Sequence, residues 1–584
     1  MKHIYRAVLI LLSFVLASCV ATPQNVGDQA ATITMESMES KETQPDSVEQ
    51  LIKPIAIDTL YDLLVGDVAL GRNQFDIALD NYSRQARLTA DHEVIVLAYR
   101  IAEHVRNQSV LMEMALLWVD QSPNDPEAHR AALAAYLTQG NAQAALTHGS
   151  WLYQNYDDLD SLLLVMTADF DSPAQIDRLI DSVKILPFSN KKYPYINFLT
   201  AVLEQKNGRF EQSELDVREF LDLVPDDQRG LLLLSQLLHQ QNRSAESIQL
   251  LSDALKRYPT NSKLRLQYAR FLATNAPSKA IAQFEILRSD NPKDQEVNFL
   301  LGLMQLSDGN VKAAEDLFKQ ASVKPSLRSD AQYHLGAMSE KKGDLAAAMS
   351  HYTQVRFGRN YIAAASRLSS LLAQHRSMSQ AQQYLQRMRS NQPTLAVTLF
   401  HVESNLLLNA QKPSQALVVL SSGLNDFPND PQLLYARSMV AEQQDDFALA
   451  EQDLRAILAQ DQNNATVLNA LGYTMILHTE RREEAFELIA KAYQLEPKDP
   501  SIIDSMGWAL FKLGKTEQAL DYLKQAFEIM PDPEIAAHLG EVHWSLDNRQ
   551  AASTVWQQGL QSTPDHKGII NTMLRLRVPE VIEQ

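Results

Sequence analysis

The chain has 584 residues, a formal charge of −18, 45% hydrophobic and 7% aromatic residues, and one cysteine. That apolar content excludes a disordered chain, and the length alone would suggest about four globular domains. The acidity argues against a nucleic-acid partner, because such a body repels phosphate backbones and anionic lipid surfaces, and a lone cysteine excludes an internal disulfide.

The chain opens on a short basic stretch, Met1 to Arg6, followed by an almost unbroken apolar run from Ala7 to Leu16. That run is too short to cross a bilayer as a helix. Leu16-Ala17-Ser18-Cys19 then places small residues before the cysteine. This resembles a bacterial lipoprotein signal, in which residues 1–18 are removed and Cys19 carries lipid; the plainer reading is a secretory leader with a chance cysteine. In the families this resembles, an aspartate after the cysteine retains the protein at the inner membrane. Val20 therefore favours a periplasm-facing outer-membrane anchor, and a doubly or triply acylated cysteine meets the two-chain requirement for stable anchoring. From Cys19 to Asp58 there is no aromatic residue, and Glu36, Glu39, Glu42, Asp46 and Glu49 make the stretch self-repelling. It reads as a tether holding the body about 35 Å from the membrane.

A repeat starts at residue 59. Ala78, Ala145, Ser213, Ser247, Ala280, Ala314, Ala348, Ala381, Ala416, Ala450, Ala485, Ala519 and Ala552 form a ladder spaced by about 34 residues or twice that. The eighth position of the repeat is mostly small, as in Gly66, Ser235, Gly336, Gly472, Gly507 and Gly540. Its twenty-fourth position is often bulky, as in Tyr82, Phe284, Phe318, Tyr352, Leu385, Leu454 and Trp556. Two antiparallel helices approach closely only where a small residue on one admits a bulky one on the other, so the pattern predicts helical pairs. Prolines near the end of many repeats, including Pro123, Pro225, Pro259, Pro292, Pro393, Pro428, Pro497, Pro531 and Pro564, predict where second helices stop. Gly309, Gly343 and Gly514 mark the turns within pairs.

Together these residues resemble tetratricopeptide repeats. The resemblance implies an all-α superhelical solenoid of about 13–15 repeats over residues 59–564. It weakens at 92–125, where Leu111 takes the ladder position, and at 160–193, where Leu179 does and Pro173 falls in the expected turn. Residues 565–584 leave the pattern, and Ile569, Ile570, Met573, Leu574 and Leu576 predict a closing helix over the last apolar face.

Little here points to catalysis. Gly514-Lys515-Thr516 lacks the earlier glycine of a phosphate loop, since Ala509 stands there. The fourteen histidines form no zinc-protease motif, and there is no serine-hydrolase elbow. The expectation is a non-enzyme with no cofactor and no metal, because an enzyme built on a solenoid usually adds a domain outside the repeats.

In repeats of this kind the first helix of each pair lines an inner groove. At the C-terminal end the inward positions give Asn469, Tyr473, Asp504, Trp508, Phe511, Glu541 and Trp544; further in they give Phe299, Leu303, Tyr333, His401, Asn405, Tyr435 and Met439. An aromatic-lined groove with amides and acids suits a protein or peptide partner, although the same rings could instead pack as ordinary core. The blocks Leu468 to Tyr473, Asp504 to Trp508, Pro531 to Glu534 and His538 to Glu541, with the leader, resemble the large tetratricopeptide-repeat lipoproteins of gammaproteobacterial outer membranes. That resemblance implies an adaptor that binds and activates a periplasmic carboxyl-terminal processing protease and presents substrates such as peptidoglycan hydrolases. A scaffold for envelope assembly (peptidoglycan synthases or outer-membrane machinery) and, further off, a murein-acting enzyme remain the alternatives.

Overall fold

The computed structural model describes residues 57–168, 170, 172–185 and 194–578. The expected leader, Cys19 and the tether up to residue 56 lie outside these residues. Ile57 and Asp58, assigned above to the tether, already belong to the first helix, Ile57–Gly71. Every regular element among the described residues is helical, and the helices run as fifteen consecutive pairs with a closing helix, Lys567–Arg575. The chain packs as two compact bodies, one ending at Leu317 and the other beginning at Phe318.

The repeat chemistry explains the pairing. Every ladder residue from Ala78 to Ala552 is buried, and so are the bulky residues that follow four positions later. Where glycine holds the eighth position there is no room for a Cβ: one on Gly336 would sit 2.8 Å from the Tyr352 ring, and one on Gly507 would sit 2.7 Å from Leu523. Serines on the ladder cost little because they are satisfied. Ser213 Oγ donates to the Ala201 carbonyl at 2.6 Å, and Ser247 Oγ donates to that of Ser235 at 2.7 Å.

Helix starts follow a rule finer than the prolines alone. Asp125, Asp227, Asn261, Asp294, Asp430 and Asp499 each stand two residues after a proline, and each side chain accepts from the first backbone N–H groups of the next helix. Such caps are worth about 1 kcal/mol apiece. Pro393 follows the end of the second helix Met378–Asn391 by two residues, as the other prolines do, and then begins a 3₁₀ turn, Pro393–Leu395, that leads into the next helix.

The two weak repeats separate clearly. Residues 92–121 form an ordinary pair, with Leu111 buried in the ladder position. The next pair is irregular: its first helix is only Leu159–Leu164 and decays into a 3₁₀ turn. Pro173 is not in a turn but opens the helix Pro173–Lys184, where its missing N–H costs nothing.

The closing helix buries Ile569 and Met573 with Ala536, Ala537 and Trp556, while Leu574 stays about half exposed.

Candidate partner-binding face

The C-terminal inner positions lie on three successive first helices, Ala465–His478, Pro500–Lys512 and Pro533–Ser545. They are knitted together rather than left open. Tyr473 donates from its hydroxyl to Glu534 at 3.0 Å and lies 3.3 Å from His538 Nε2. His538 Nδ1 sits 2.9 Å from an Asp504 carboxylate oxygen. The Trp508 indole stacks on the His538 ring with centroids 4.0 Å apart, and the Lys512 ammonium lies 4.2 Å from the indole centroid. Glu541 pairs with Arg575 of the closing helix.

Of the two readings the sequence leaves open at this end, groove lining and core packing, the most buried residues follow the second. Trp508, Asp504 and Glu541 are buried at 5, 5 and 6% exposure, whereas Asn469, Tyr473, Phe511 and Trp544 are half-buried. The physical reason is that Tyr473 and Glu534 belong to alternate pairs and still touch, so the first helices close over the rings between them. Trp544 packs with Trp556 on one side and carries the Arg549 guanidinium on its face at 3.8 Å. Further in, Phe299 and Leu303 are core, Tyr333, His401 and Tyr435 are half-buried, and Asn405 and Met439 are exposed.

The electrostatics of the closed end are consistent with this packing. Burial disfavours the charged form of His538, but Asp504, Glu534 and Glu541 outweigh it and raise its pKa above the ordinary value. Burial and the nearby carboxylates push the Tyr473 hydroxyl far up, so it remains a donor. Burial also lowers the Lys512 pKa, with Glu541 opposing. The Trp508 indole N–H and the Asn469 side-chain oxygen are buried without a hydrogen-bond partner. Among the described residues no three His, Cys, Asp or Glu side chains converge as metal ligands.

His538 and Lys512 belong to this cluster although the inward-position rule does not reach them. Glu534 stands at the second position of its repeat, where that rule does apply. His538 falls one residue beyond an inward position and joins by stacking, which spacing cannot reveal.

Comparison with known proteins decides the family. The chain is 34% identical over 537 residues to TPR repeat-containing protein PA4667 of Pseudomonas aeruginosa, an alignment that spans 91% of this chain and 90% of that protein. Profiles described as tetratricopeptide repeat match residues 198–262, 270–326, 402–465 and 502–533.

The chain belongs to the tetratricopeptide-repeat proteins.

As a tetratricopeptide-repeat (TPR) protein it is a scaffold for protein–protein interaction. A shorter likeness, 27% over 131 residues, relates 22% of this TPR chain to 52% of type IV pilus assembly protein PilF, also of Pseudomonas aeruginosa. Among solved structures, a tetratricopeptide repeat protein from Parabacteroides merdae covers 48% of this chain and 98% of its own, at 18% identity and a TM-score of 0.33.

Proposed function

We propose that this TPR protein is a lipid-anchored adaptor in the periplasm that binds a carboxyl-terminal processing protease and brings protein substrates to it, peptidoglycan hydrolases among them. The observation that carries the reading is the joining in one chain of a lipoprotein-like leader, residues 1–18 ahead of Cys19, to an almost uninterrupted run of repeats. A chain built this way offers surface and little else. Asn405 and Met439, exposed beside half-buried His401 and Tyr435, form the open stretch of inner face we assign to a partner. Anchoring confines the scaffold to the membrane, so a protease and a substrate held on one chain meet at raised effective concentration without chemistry by the scaffold itself.

A second reading, a scaffold for envelope assembly, draws support from the partial likeness to a pilus assembly protein. One experiment separates the two. The full chain, affinity-tagged at its C-terminus, is used to capture partners from detergent-solubilised envelopes. Recovery of a periplasmic processing protease, with faster cleavage of a cell-wall hydrolase when the TPR protein is added, supports the adaptor. Recovery of synthases, pilus or insertion machinery without the protease rejects it in favour of the scaffold. Cys19→Ala tests the anchor independently: the protein should leave the membrane fraction, and unchanged fractionation would reject lipidation.

A further inference from the structure

Charge is spread unevenly along this acidic chain. Residues 318–425 hold twelve lysines and arginines against four carboxylates, a local balance of +8 that leaves the rest of the chain at −26. All four carboxylates are already committed. Glu340 pairs with Arg367, and Glu403 pairs with Arg389. Asp344 caps the helix Leu345–Thr353, and Asp330 accepts from the Asn360 side-chain amide at 2.9 Å. Lys324, Arg328, Arg356 and Arg359 are exposed and make no salt bridge among the described residues. Arginines on other helical pairs, such as Arg243 on Glu214 and Arg481 on Glu451, are neutralised locally.

The fold gathers these four cations. The helix Leu345–Thr353 has nine residues, where the second helix of the next pair, Met378–Asn391, has fourteen. The chain it leaves over, residues 354–360, forms an irregular loop. This loop is fastened to the preceding first helix, Pro325–Lys341. The Arg356 backbone N–H donates to Ser329 Oγ at 3.2 Å, and Asn360 reaches Asp330 one residue further on. Within the loop Val355 is buried, while Arg356, Phe357 and Arg359 are exposed. Arg328 Nε donates to the Ser322 carbonyl at 3.2 Å, which holds it against the connection carrying Val323 and Lys324. Phe357 and Val323 are 52 and 69% exposed. Folding explains none of this, because gathered like charges repel and an exposed ring leaves apolar area in water.

We propose that Val323, Lys324, Arg328, Arg356, Phe357 and Arg359 form a docking surface for an acidic segment of a protein partner. Such a segment sets carboxylates on the cations and an apolar side chain against Phe357. The planar guanidinium fork matches a carboxylate, and the exposed ring supplies contact area that charge alone does not use. The charge of the remaining chain selects a short segment over a bilayer or a nucleic-acid duplex. At physiological salt, charges more than about 8 Å apart are largely screened, so a short acidic segment meets the local cations alone. An extended anionic surface must also approach the acidic remainder. The surface belongs to connections between helical pairs and is separate from the Asn405 and Met439 stretch. It rests on the chain being a protein-interaction scaffold.

The test uses the full chain with Cys19→Ala, so that no lipid anchor contributes to binding. The probe is a fluorescein-labelled Glu-Glu-Phe-Glu-Glu peptide, followed by fluorescence anisotropy, with Gln-Gln-Phe-Gln-Gln as its control. The parent should bind the acidic peptide and not the control. Arg356→Glu/Arg359→Glu should weaken binding at least about tenfold, and Phe357→Ala should weaken it with the charge unchanged. Lys498→Glu/Lys524→Glu makes the same change in net charge at exposed lysines outside the surface and should leave the affinity as it is. Melting curves of these variants, all at exposed positions, check that the fold is kept. Failure of the parent to bind, or equal loss in the two charge-reversal variants, would overturn the proposal. Sedimentation with phosphatidylglycerol vesicles, or retardation of a DNA duplex, that disappears in Arg356→Glu/Arg359→Glu would also overturn it, in favour of that anionic surface. The assay reads neither protease nor anchor, so it can fail while the adaptor reading stands.

Discussion

The Tyr473 hydroxyl reaches two helical pairs along the chain to meet Glu534 and His538, and the partners around the His538 ring suit its charged form. Tyr473 donates to Glu534, so its oxygen is free to accept from His538 Nε2. Asp504 accepts from Nδ1 of the same ring. Both ring nitrogens donate only in the imidazolium, which agrees with the raised pKa of His538. A raised folded pKa gives a contribution that is complete below the unfolded value of about 6.5 and is lost as pH rises through the folded one. The urea midpoint of the protein should therefore fall as pH rises above about 6.5, and His538→Asn should remove that slope. Tyr473→Phe should keep the fold and cost about 1 kcal/mol, since the bond it loses is partly exposed to water.

Trp508 has to be treated as core in any binding experiment. Its indole is 5% exposed, between His538, Phe511 and Lys512. Trp508→Ala should destabilise the chain by about 3–5 kcal/mol, so weakened partner binding in that variant would report unfolding. Trp544→Ala, at a half-buried ring, should cost less and is the variant in which a binding loss is interpretable. Thermal melts of the two variants, run before any capture assay, check the order.

Much of this architecture is legible without coordinates because one geometric constraint repeats. Ala314, Ala348 and Ala519 are small for the same reason, and that reason recurs often enough to set the phase. The capping rule was equally available in the Pro-x-Asp spacing of Pro225 with Asp227 and Pro497 with Asp499. What spacing alone does not yield is how tightly successive first helices close. Trp508 and Met439 occupy the same repeat position, yet one is buried and the other 42% exposed. The difference lies in contacts such as Tyr473 with Glu534, made between residues 61 positions apart. Pro173 was misplaced because proline signals both a turn and a first helical residue, and only the neighbouring backbone distinguishes them.

His129 and His148 should titrate with the opposite sign to His538. Their Nδ1 atoms lie 3.0 Å apart, and His129 Nε2 donates to the Pro123 carbonyl at 3.0 Å. That leaves His129 Nδ1 to accept from His148 Nδ1–H, an arrangement requiring His129 to be neutral. Burial, and then the neighbouring His129, pushes His148 down to about 4. A depressed histidine contributes stability that is complete above about pH 6.5 and is lost as pH falls toward the folded value. Unfolding free energy should decline over that interval by about 2 kcal/mol from this group, allowing for its half-buried position. His148→Asn, which retains a donor near the Nδ1 position, should flatten the decline in urea titrations.

The turns within pairs impose a backbone requirement that glycine meets and other residues resist. Gly514 has φ +79° with open space where a Cβ would stand, so Gly514→Ala isolates the conformational cost. It should destabilise by about 1 kcal/mol. Gln411 occupies the equivalent turn at φ 57°, and Gln411→Gly should stabilise by a comparable amount. Paired melting curves with shifts in opposite directions would establish the left-handed turn as the cause; shifts of the same sign would reject it.

Gly540 provides the sharpest test of the packing rule. In an open helix, Gly→Ala stabilises by about 1 kcal/mol through intrinsic propensity. Here a Cβ would collide with the Trp556 indole, which is fully buried and donates from Nε1 to the Ala537 carbonyl at 3.3 Å. The ring is hemmed in by Ala536, Ala537, Ile569 and Met573, so it cannot swing aside without opening the closing helix. Overpacking costs of about 1–3 kcal/mol or more should therefore outweigh the propensity gain, and Gly540→Ala should melt below the parent. Trp556→Leu alone should also destabilise, by leaving a cavity. The double variant should be less destabilised than the sum of the two, because the smaller side chain makes room for the added methyl. A double-variant cycle showing simple additivity would mean that Gly540 and Trp556 are not coupled, and the small-against-bulky account of these helical pairs would fail at the position where it is most demanding.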